Sequence, residues 1–427
     1  MGRETAVAAH VELKVMHGRD GSRHEEFDDP QVHVLRDVSE LEHRLDDWTD
    51  LARESLEPNA FWEPFFLLPA LAHLGHRHRF RLVTVEVAER RSGRRALGAL
   101  FPFELRRYYR GAPIPVLSLW RHRYAFLATP LIRASCAGIC LDALCTWHAR
   151  GPFRRGLLEL GDMHGGGPVM EALTASAARV GHLVVTTDSY RRAFLQPART
   201  ADRYMADAIA ARRRKEYRRQ LNRLRDRGSV AFSDLAANDD AEPWLRAFLT
   251  LERAGWKGRR GSAMLSRGHD GFFEAMGRGA HANGQLIMSR LTLDGRPVAM
   301  SCQFVSGGGA FAFKIAYDET LARYSPGVLL ALHTLRLLHD REDVAWADSC
   351  GKPGNMLTPL WTGRREIRTV IVGSNRFPSH TVARAAGTWR RLTARFSGLP
   401  PSPGDRSLHV PQPGHASDVD TTQFRQP

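Results

Sequence analysis

The chain has 427 residues, 43% hydrophobic and 25% charged, enough apolar material for two domains each with its own core. No stretch reaches the eighteen or more uninterrupted apolar residues of a membrane-spanning helix, which excludes that class. The net charge of +15 and pI near 10.2 point toward anionic partners, and only five of the 61 basic residues are lysines, a bias that also fits a GC-rich genome.

Residues 1–30 are polar and irregular and read as a disordered tail. They lack the apolar core of a secretory signal, and Met1-Gly2 is followed at position six by Ala6 instead of Ser or Thr, so a cytoplasmic protein is expected. Residues 31–35 can start a strand, 38–54 a helix, and 59–74 an aromatic-rich turn and helix. Alternation over 79–88, a turn at 90–95 and a return over 96–106 make a hairpin. Strands are expected at 114–119, 125–132, 157–160 and 182–187 and a helix over 169–180, which completes a first α/β half. Cys136, Cys140, Cys145, Cys302 and Cys350 form no CxxC pair and lie mostly among apolar neighbours, so they read as reduced core thiols and no metal site is expected.

A long helix over 201–227 opens the second half, followed by a strand at 229–235, helices at 242–252 and 271–283, and a basic loop at 256–262. Residues 212–227 hold nine basic and two acidic side chains, seven of the fifteen net charges. Tyr217, Leu221 and Leu224 give that helix one packing stripe. Its cationic remainder is either a solvated face or a contact for the phosphates of an acyl carrier or of tRNA.

A meander follows: a strand over 285–293, the hairpin signal Asp294-Gly295, a strand over 297–305, a turn at 306–309 and a strand over 310–317. Strict alternation places Phe311, Phe313, Ile315 and Tyr317 on one face and Ala310, Ala312, Lys314 and Ala316 on the other. Tyr324-Ser325-Pro326-Gly327 then opens a leucine-rich helix, with Ser325 as N-cap and Pro326 at the first helical position. A short strand at 344–347 completes a strand–helix–strand unit, which requires a parallel pair and a right-handed crossover. The N-terminus of the intervening helix is a candidate anion site. Both halves repeat a similar order of strands and helices. The chain therefore divides into a tail (1–30), two similar α/β domains (31–200 and 201–385) and an Arg/Pro-rich disordered tail (386–427).

The segments Phe313-Lys314-Ile315-Ala316-Tyr317-Asp318 and Ala322-Arg323-Tyr324-Ser325-Pro326-Gly327-Val328, with the arginine-rich helix and Asn59-Ala60-Phe61-Trp62-Glu63-Pro64, resemble the GNAT acyltransferases, in particular the CelD/BcsL-type, Fem-like branch. The resemblance spans residues 32–372 and implies two tandem GNAT-like mixed-sheet domains with the donor site in the second. It implies an acyl-CoA co-substrate, with Lys314, Ile315, Tyr324, Ser325, Gly327 and Val328 as donor contacts. The family's phosphate loop has Arg or Gln, then two residues, Gly, one residue, and Gly or Ala; here Ala322, Ser325 and Gly327 stand at those places, so only the last glycine is kept.

Such an enzyme needs a positioned acceptor, a donor for the oxyanion and a base. Asp348 at the end of the parallel strand is a candidate base or a turn cap, Tyr317 a candidate general acid or a packing aromatic, and Glu63 a second base candidate or a first-turn helix residue. Cys350 lacks a histidine neighbour in sequence and is a weak nucleophile candidate. Trp361 with Arg364 and Arg365 reads as a core tryptophan among solvated charges or as a contact for a polyanionic or sugar acceptor. The expected activity is transfer of an acyl group, acetyl in the first instance, to an amine or hydroxyl acceptor, by resemblance saccharide-linked. Aminoacyl transfer from charged tRNA and non-catalytic nucleic-acid binding are the alternatives.

Overall fold

Thirteen strands form one continuous mixed sheet among the residues that the computed structural model describes, 26–35, 39–74, 80–197 and 200–395. The first half contributes β1 (Phe27–Leu35), α1 (Ser39–Glu42), α2 (Leu45–Arg53), α3 (Pro64–Leu74), β2 (Phe80–Glu89), β3 (Arg95–Arg106), β4 (Val116–Leu119), β5 (Leu131–Ile132), α4 (Ala137–Arg150), β6 (Leu157–His164), α5 (Pro168–Arg179) and β7 (Leu183–Leu195). The second contributes α6 (Ala201–Ala208), α7 (Ala211–Arg225), β8 (Val230–Asp234), α8 (Glu242–Ala254), α9 (Trp256–Arg259), α10 (Asp270–Ala282), β9 (Leu286–Leu293), β10 (Arg296–Ser306), β11 (Gly309–Tyr317), α11 (Pro326–Asp340), β12 (Trp346–Asp348), β13 (Gly363–Gly373) and α12 (Ser379–Arg395). The strand order is β1-β2-β3-β4-β6-β13-β7-β12-β11-β10-β9-β8, with β5 beside β3.

The two halves repeat one plan. Each is an antiparallel meander, β1 to β4 and β8 to β11, whose last strand pairs in parallel with the strand that follows a crossover helix: β4 with β6 across α4, and β11 with β12 across α11. Their closing strands are exchanged. β7, from the first half, pairs with β12, whereas β13, from the second, pairs with β6, and the two pair with each other antiparallel. Segments 31–200 and 201–385 are thus interleaved at the centre of the sheet.

Local chemistry sets the hairpins. Asp294 (φ 51°) and Gly295 (φ 78°) form the tight turn between β9 and β10, and the Asp294 carboxylate accepts the Ser229 N–H at 2.8 Å. Asn59 ties the front of the chain down: its side chain accepts from the Phe61 N–H and donates to the carbonyls of Leu127 and Thr129. Phe61, in the 3-10 turn that Asn59 caps, and Phe66 on α3 then pack from the first half against the second. Phe66 meets Phe304 at 5.7 Å and Phe313 at 5.8 Å, and Phe61 meets Phe311 at 5.9 Å, all edge to face. Each such pair adds roughly 0.5–1.5 kcal/mol to the area it buries.

Several sequence expectations change: the strand over 125–132 is only Leu131–Ile132, the helix over 38–54 is α1 and α2, and α4 and β13 are not among the expected elements. The helix over 201–227 is two helices, because Ile209 is extended (φ −117°, ψ 119°) and buries its side chain with Leu335 and Leu338 of α11. The final short strand is Trp346–Asp348 instead of 344–347. Residues 27–30 belong to β1, Glu26 is a bend before it, and 386–395 belong to α12, while residues 1–25 and 396–427 of the expected tails lie outside the described residues. Strict alternation along 310–317 fails: Cys302 pairs with Lys314 but Gln303 with Ala312, leaving Phe313 as the extra residue of a β-bulge. Phe311, Phe313, Lys314 and Ala316 therefore face α3, α8 and α10, and Ala310, Ala312, Ile315 and Tyr317 face α11.

Candidate functional site

β11 and β12 are paired at three positions only, Gly309 with Trp346, Ala310 with Ala347 and Phe311 with Asp348. β11 runs on to Tyr317, whereas the chain after Asp348 turns away and the Ser349 N–H donates to Ala193 O on β7. The edge of β11 facing away from β10 is consequently open from Ala312 to Tyr317 among the described residues. The Asp318 N–H donates to Val298 O on β10 at 2.8 Å, so strand alternation turns the N–H groups of Ile315 and Tyr317 toward this opening. The equivalent divergence of β4 from β6 is filled: Ala128 N donates to Asp162 O, His164 N to Thr129 Oγ1, and Arg121 lies against Gly161 and pairs with Asp162 at 3.3 Å.

The turn ahead of α11 stands at the far end of the open edge. Ser325 is the N-cap residue as expected, but it is left-handed (φ 50°, ψ 48°) and its side chain makes no cap hydrogen bond. Its carbonyl instead accepts the N–H groups of Val328 and Leu329, and Pro326 has none, so Gly327 carries the single free N–H of the first turn among the described residues. A methyl group on Gly327 would lie 3.2 Å from the Tyr317 ring and 3.4 Å from Met356. Tyr317 thus packs on the turn, its hydroxyl pushed above the ordinary range by burial and the nearby Glu319. Tyr324 is buried between α7 and α11, and the Arg323 guanidinium stacks on its ring at 4.8 Å. The Val328 side chain packs with the α11 face cluster.

Asp348 closes the narrow end of the opening. It is fully buried, ion-paired with Arg192 Nε at 2.6 Å, and accepts Arg192 Nη2 at 2.8 Å, Arg365 Nη1 at 3.0 Å and the Cys350 N–H at 2.9 Å. Burial alone would raise its pKa, but the two guanidiniums outweigh burial and hold it below the carboxylate range. Arg192 also donates to Phe126 O, and Arg365 lies between the rings of Phe194 and Trp346 at 4.3 and 4.1 Å. A carboxylate so engaged is a poor proton acceptor. The Cys350 thiol, raised by burial and by Asp348, is no nucleophile at neutral pH.

The other named residues fall elsewhere. Lys314, brought round by the bulge, donates to the buried Glu252 at 3.0 Å, lies 5.1 Å over the Tyr124 ring, and is lowered by burial to about 8. Glu252 also accepts from Lys257 and the Met264 N–H. Lys314 therefore serves this internal network and does not point at the turn. Glu63 sits at the β10–β11 hairpin with Gln285 donating to it at 2.7 Å, its carboxyl raised by burial. Since Ser306 faces Gly309 there, Lys314 is five residues up the strand, roughly 16 Å away. The structure thus brings Tyr317, Ile315, Tyr324, Ser325, Gly327 and Val328 together and leaves Glu63 apart. Arg192, which no local motif marks, is what the sequence reading missed, and Arg365, expected as a solvated charge or an acceptor contact, is instead a buried partner of Asp348. Trp361 is buried; Arg364 donates to the carbonyls of Thr358, Trp361 and Gly363 and, with His164, Phe194 and Arg365, lines an open cavity of about 400 Å³ beside the Asp348 end.

The arrangement is that of an α/β fold made of two GNAT-like units in tandem, with the open unit second. Residues 211–355 match the family described as acetyltransferase (GNAT) domain. Similar solved structures include FemX (8% identity, 77% of this chain and 95% of that one, TM-score 0.49) and a tandem GNAT protein from the clavulanic acid biosynthesis pathway (14%, 80% and 98%, 0.40). A C-terminal domain from Agrobacterium fabrum assigned to a lysylphosphatidylglycerol synthetase is also similar (12%, 81% and 96%, 0.47). No curated protein matches the sequence. Among the described residues no group of acids, histidines and cysteines is arranged to hold a metal ion, and no helix is long and apolar enough to cross a membrane.

Proposed function

We propose that the protein is an acyltransferase whose thioester donor lies in the opening between β11 and β12, and that it acts in the cytoplasm. The observation that carries this reading is the three-residue pairing of those strands followed by the open edge of β11, which leads to the N-terminus of α11. An extended pantetheine arm carries two amides. Laid along that edge it accepts from the Ile315 and Tyr317 N–H groups as an added strand would, with its phosphate at the Gly327 N–H. Six residues separate Phe311 from Tyr317, roughly 20 Å of strand, which puts the thioester end near Asp348.

The acceptor nitrogen or oxygen attacks the thioester carbonyl, the C–S bond breaks, and the acceptor's proton ends on the departing thiolate. Orientation supplies most of what such a step requires. Asp348 contributes by holding Arg192 and Arg365 rigid; it is a positioning residue in this reading, and Tyr317 and Glu63 take no part in proton transfer. The acceptor reaches the thioester from the cavity beside Arg365. An acetyl group and a saccharide-linked amine or hydroxyl, as in the CelD/BcsL-type branch, are the first donor and acceptor to test. Calorimetric titration with acetyl-CoA tests the donor site: saturable binding, abolished in Gly327→Glu, supports the reading, and no heat at millimolar ligand overturns it.

A further inference from the structure

Helix α7 is fastened to the turn that would take the donor phosphate. Tyr217, Leu221 and Leu224 pack with Tyr324, Leu329 and Leu330 in one apolar cluster. On the opposite side Arg212, Lys215, Arg219 and Arg223 recur at i, i+3, i+7 and i+11, a single exposed stripe roughly 17 Å long. Only Arg219 has an acidic partner among the described residues, Glu216 at 2.6 Å. Acids lie near the stripe in the chain, exposed Asp202 and Asp207 on α6, paired with Arg336 and Arg203, and exposed Asp226 just after it. Its cations are far more numerous than one small ligand at the turn requires, and the turn itself offers one free N–H where a bisphosphate needs several.

We propose that the donor thioester is delivered by an acidic protein bearing a 4′-phosphopantetheine arm, which docks one helix on the cationic stripe of α7. This rests on the acyl-donor reading above and names the form of the donor. The arm's single phosphate matches the single Gly327 N–H. The stripe has the length of one helix-on-helix contact, and charge complementarity fixes the sign of the partner. A nucleic-acid strand fits less well. Helix α7 offers no exposed aromatic ring for a base to stack on, since Tyr217 packs inward.

The test measures binding of a fluorescently labelled, acidic fatty-acid-type carrier protein in its phosphopantetheinylated and apo forms, alongside acetyl-CoA and a short RNA duplex. The phosphopantetheinylated carrier should bind at least about ten-fold more tightly than either the apo carrier or acetyl-CoA. The triple variant Arg212→Glu, Lys215→Glu, Arg223→Glu should lose about ten-fold or more in carrier affinity while keeping that for acetyl-CoA, and the corresponding glutamine triple should fall between. If acetyl-CoA binds but the carrier binds no more tightly, or the charge variants leave carrier affinity unchanged, the docking proposal fails and the donor site stands. If RNA binds to the stripe and the carrier does not, the helix belongs to nucleic acid and the proposal is likewise overturned. If neither acetyl-CoA nor the carrier binds, the donor site itself is refuted.

Discussion

Phe311 on β11 stands directly opposite Asp348 on β12, and this is the last pair of that ladder. Beyond it the two strands part, and everything assigned to the donor lies in the opening so formed. Because Asp348 is clamped between Arg192 and Arg365, the point at which the strands separate is fixed by buried charge and not by packing alone.

Replacing that charge should therefore act on stability before it acts on chemistry. In Asp348→Asn the guanidiniums of Arg192 and Arg365 remain buried without a counter-charge, and a loss of about 3–5 kcal/mol is expected. Urea denaturation of the variant checks this. An unchanged midpoint together with lost turnover would instead restore Asp348 as a proton acceptor.

At Gly327 size and charge can be separated. Gly327→Ala places a methyl 3.2 Å from the Tyr317 ring, a contact relieved by a small ring movement, and acetyl-CoA affinity should fall only modestly. Gly327→Glu puts a carboxylate where the donor phosphate would sit and should abolish binding while the far-ultraviolet circular dichroism spectrum stays the same. Equal affinities for both variants and the unaltered protein would move the phosphate away from this turn.

The left-handed Ser325 carries a backbone cost that glycine does not. Ser325→Gly should raise stability, by up to about 1 kcal/mol after glycine's larger unfolded-state entropy is subtracted. Ser325→Val should lower it, since a β-branched side chain is poorly tolerated at φ 50°. Comparing the two denaturation midpoints reads the effect directly, and reversal of their order would contradict the assigned backbone conformation.

Two buried histidines, His148 and His182, and the half-buried His122 should make the fold acid-sensitive. Burial lowers His122 and His148 to about 3 and His182 to about 4, and both His182 ring nitrogens lack a partner among the described residues. The folded state thus refuses protons that the unfolded chain takes up near pH 6.5, so stability is complete above that value and declines as pH falls toward the folded pKa values. The slope is up to about 1.4 kcal/mol per pH unit for each histidine. Denaturation midpoints at pH 7.5, 6 and 5 should fall in that order, less steeply in His182→Phe. Identical midpoints would mean that the histidines are reached by protons in the folded state.

Local pattern made part of this architecture legible. Asp294-Gly295 between two alternating runs marked the β9–β10 hairpin, and Ser325-Pro326-Gly327 before a leucine-rich stretch marked the start of α11, because turn geometry and helix entry depend on residues next to one another in the chain. The reduced, buried state of the cysteines followed from composition in the same way. The bulge at Phe313 was not legible, since it is defined by which residues of β10 lie opposite, and it moves Lys314 to the face that bears Glu252. Nor was the role of Asp348, whose partner Arg192 is 156 residues away on a strand exchanged between the halves. Sequence by itself determined the two meanders, the turn between β9 and β10 and the start of α11, because hydrophobic period and turn chemistry act over a few residues, but it left out α4 and β13. Only the tertiary structure decided which half remains open, which carboxylate is neutralised and which side chains meet, because those outcomes depend on the register and exchange of strands far apart in the chain.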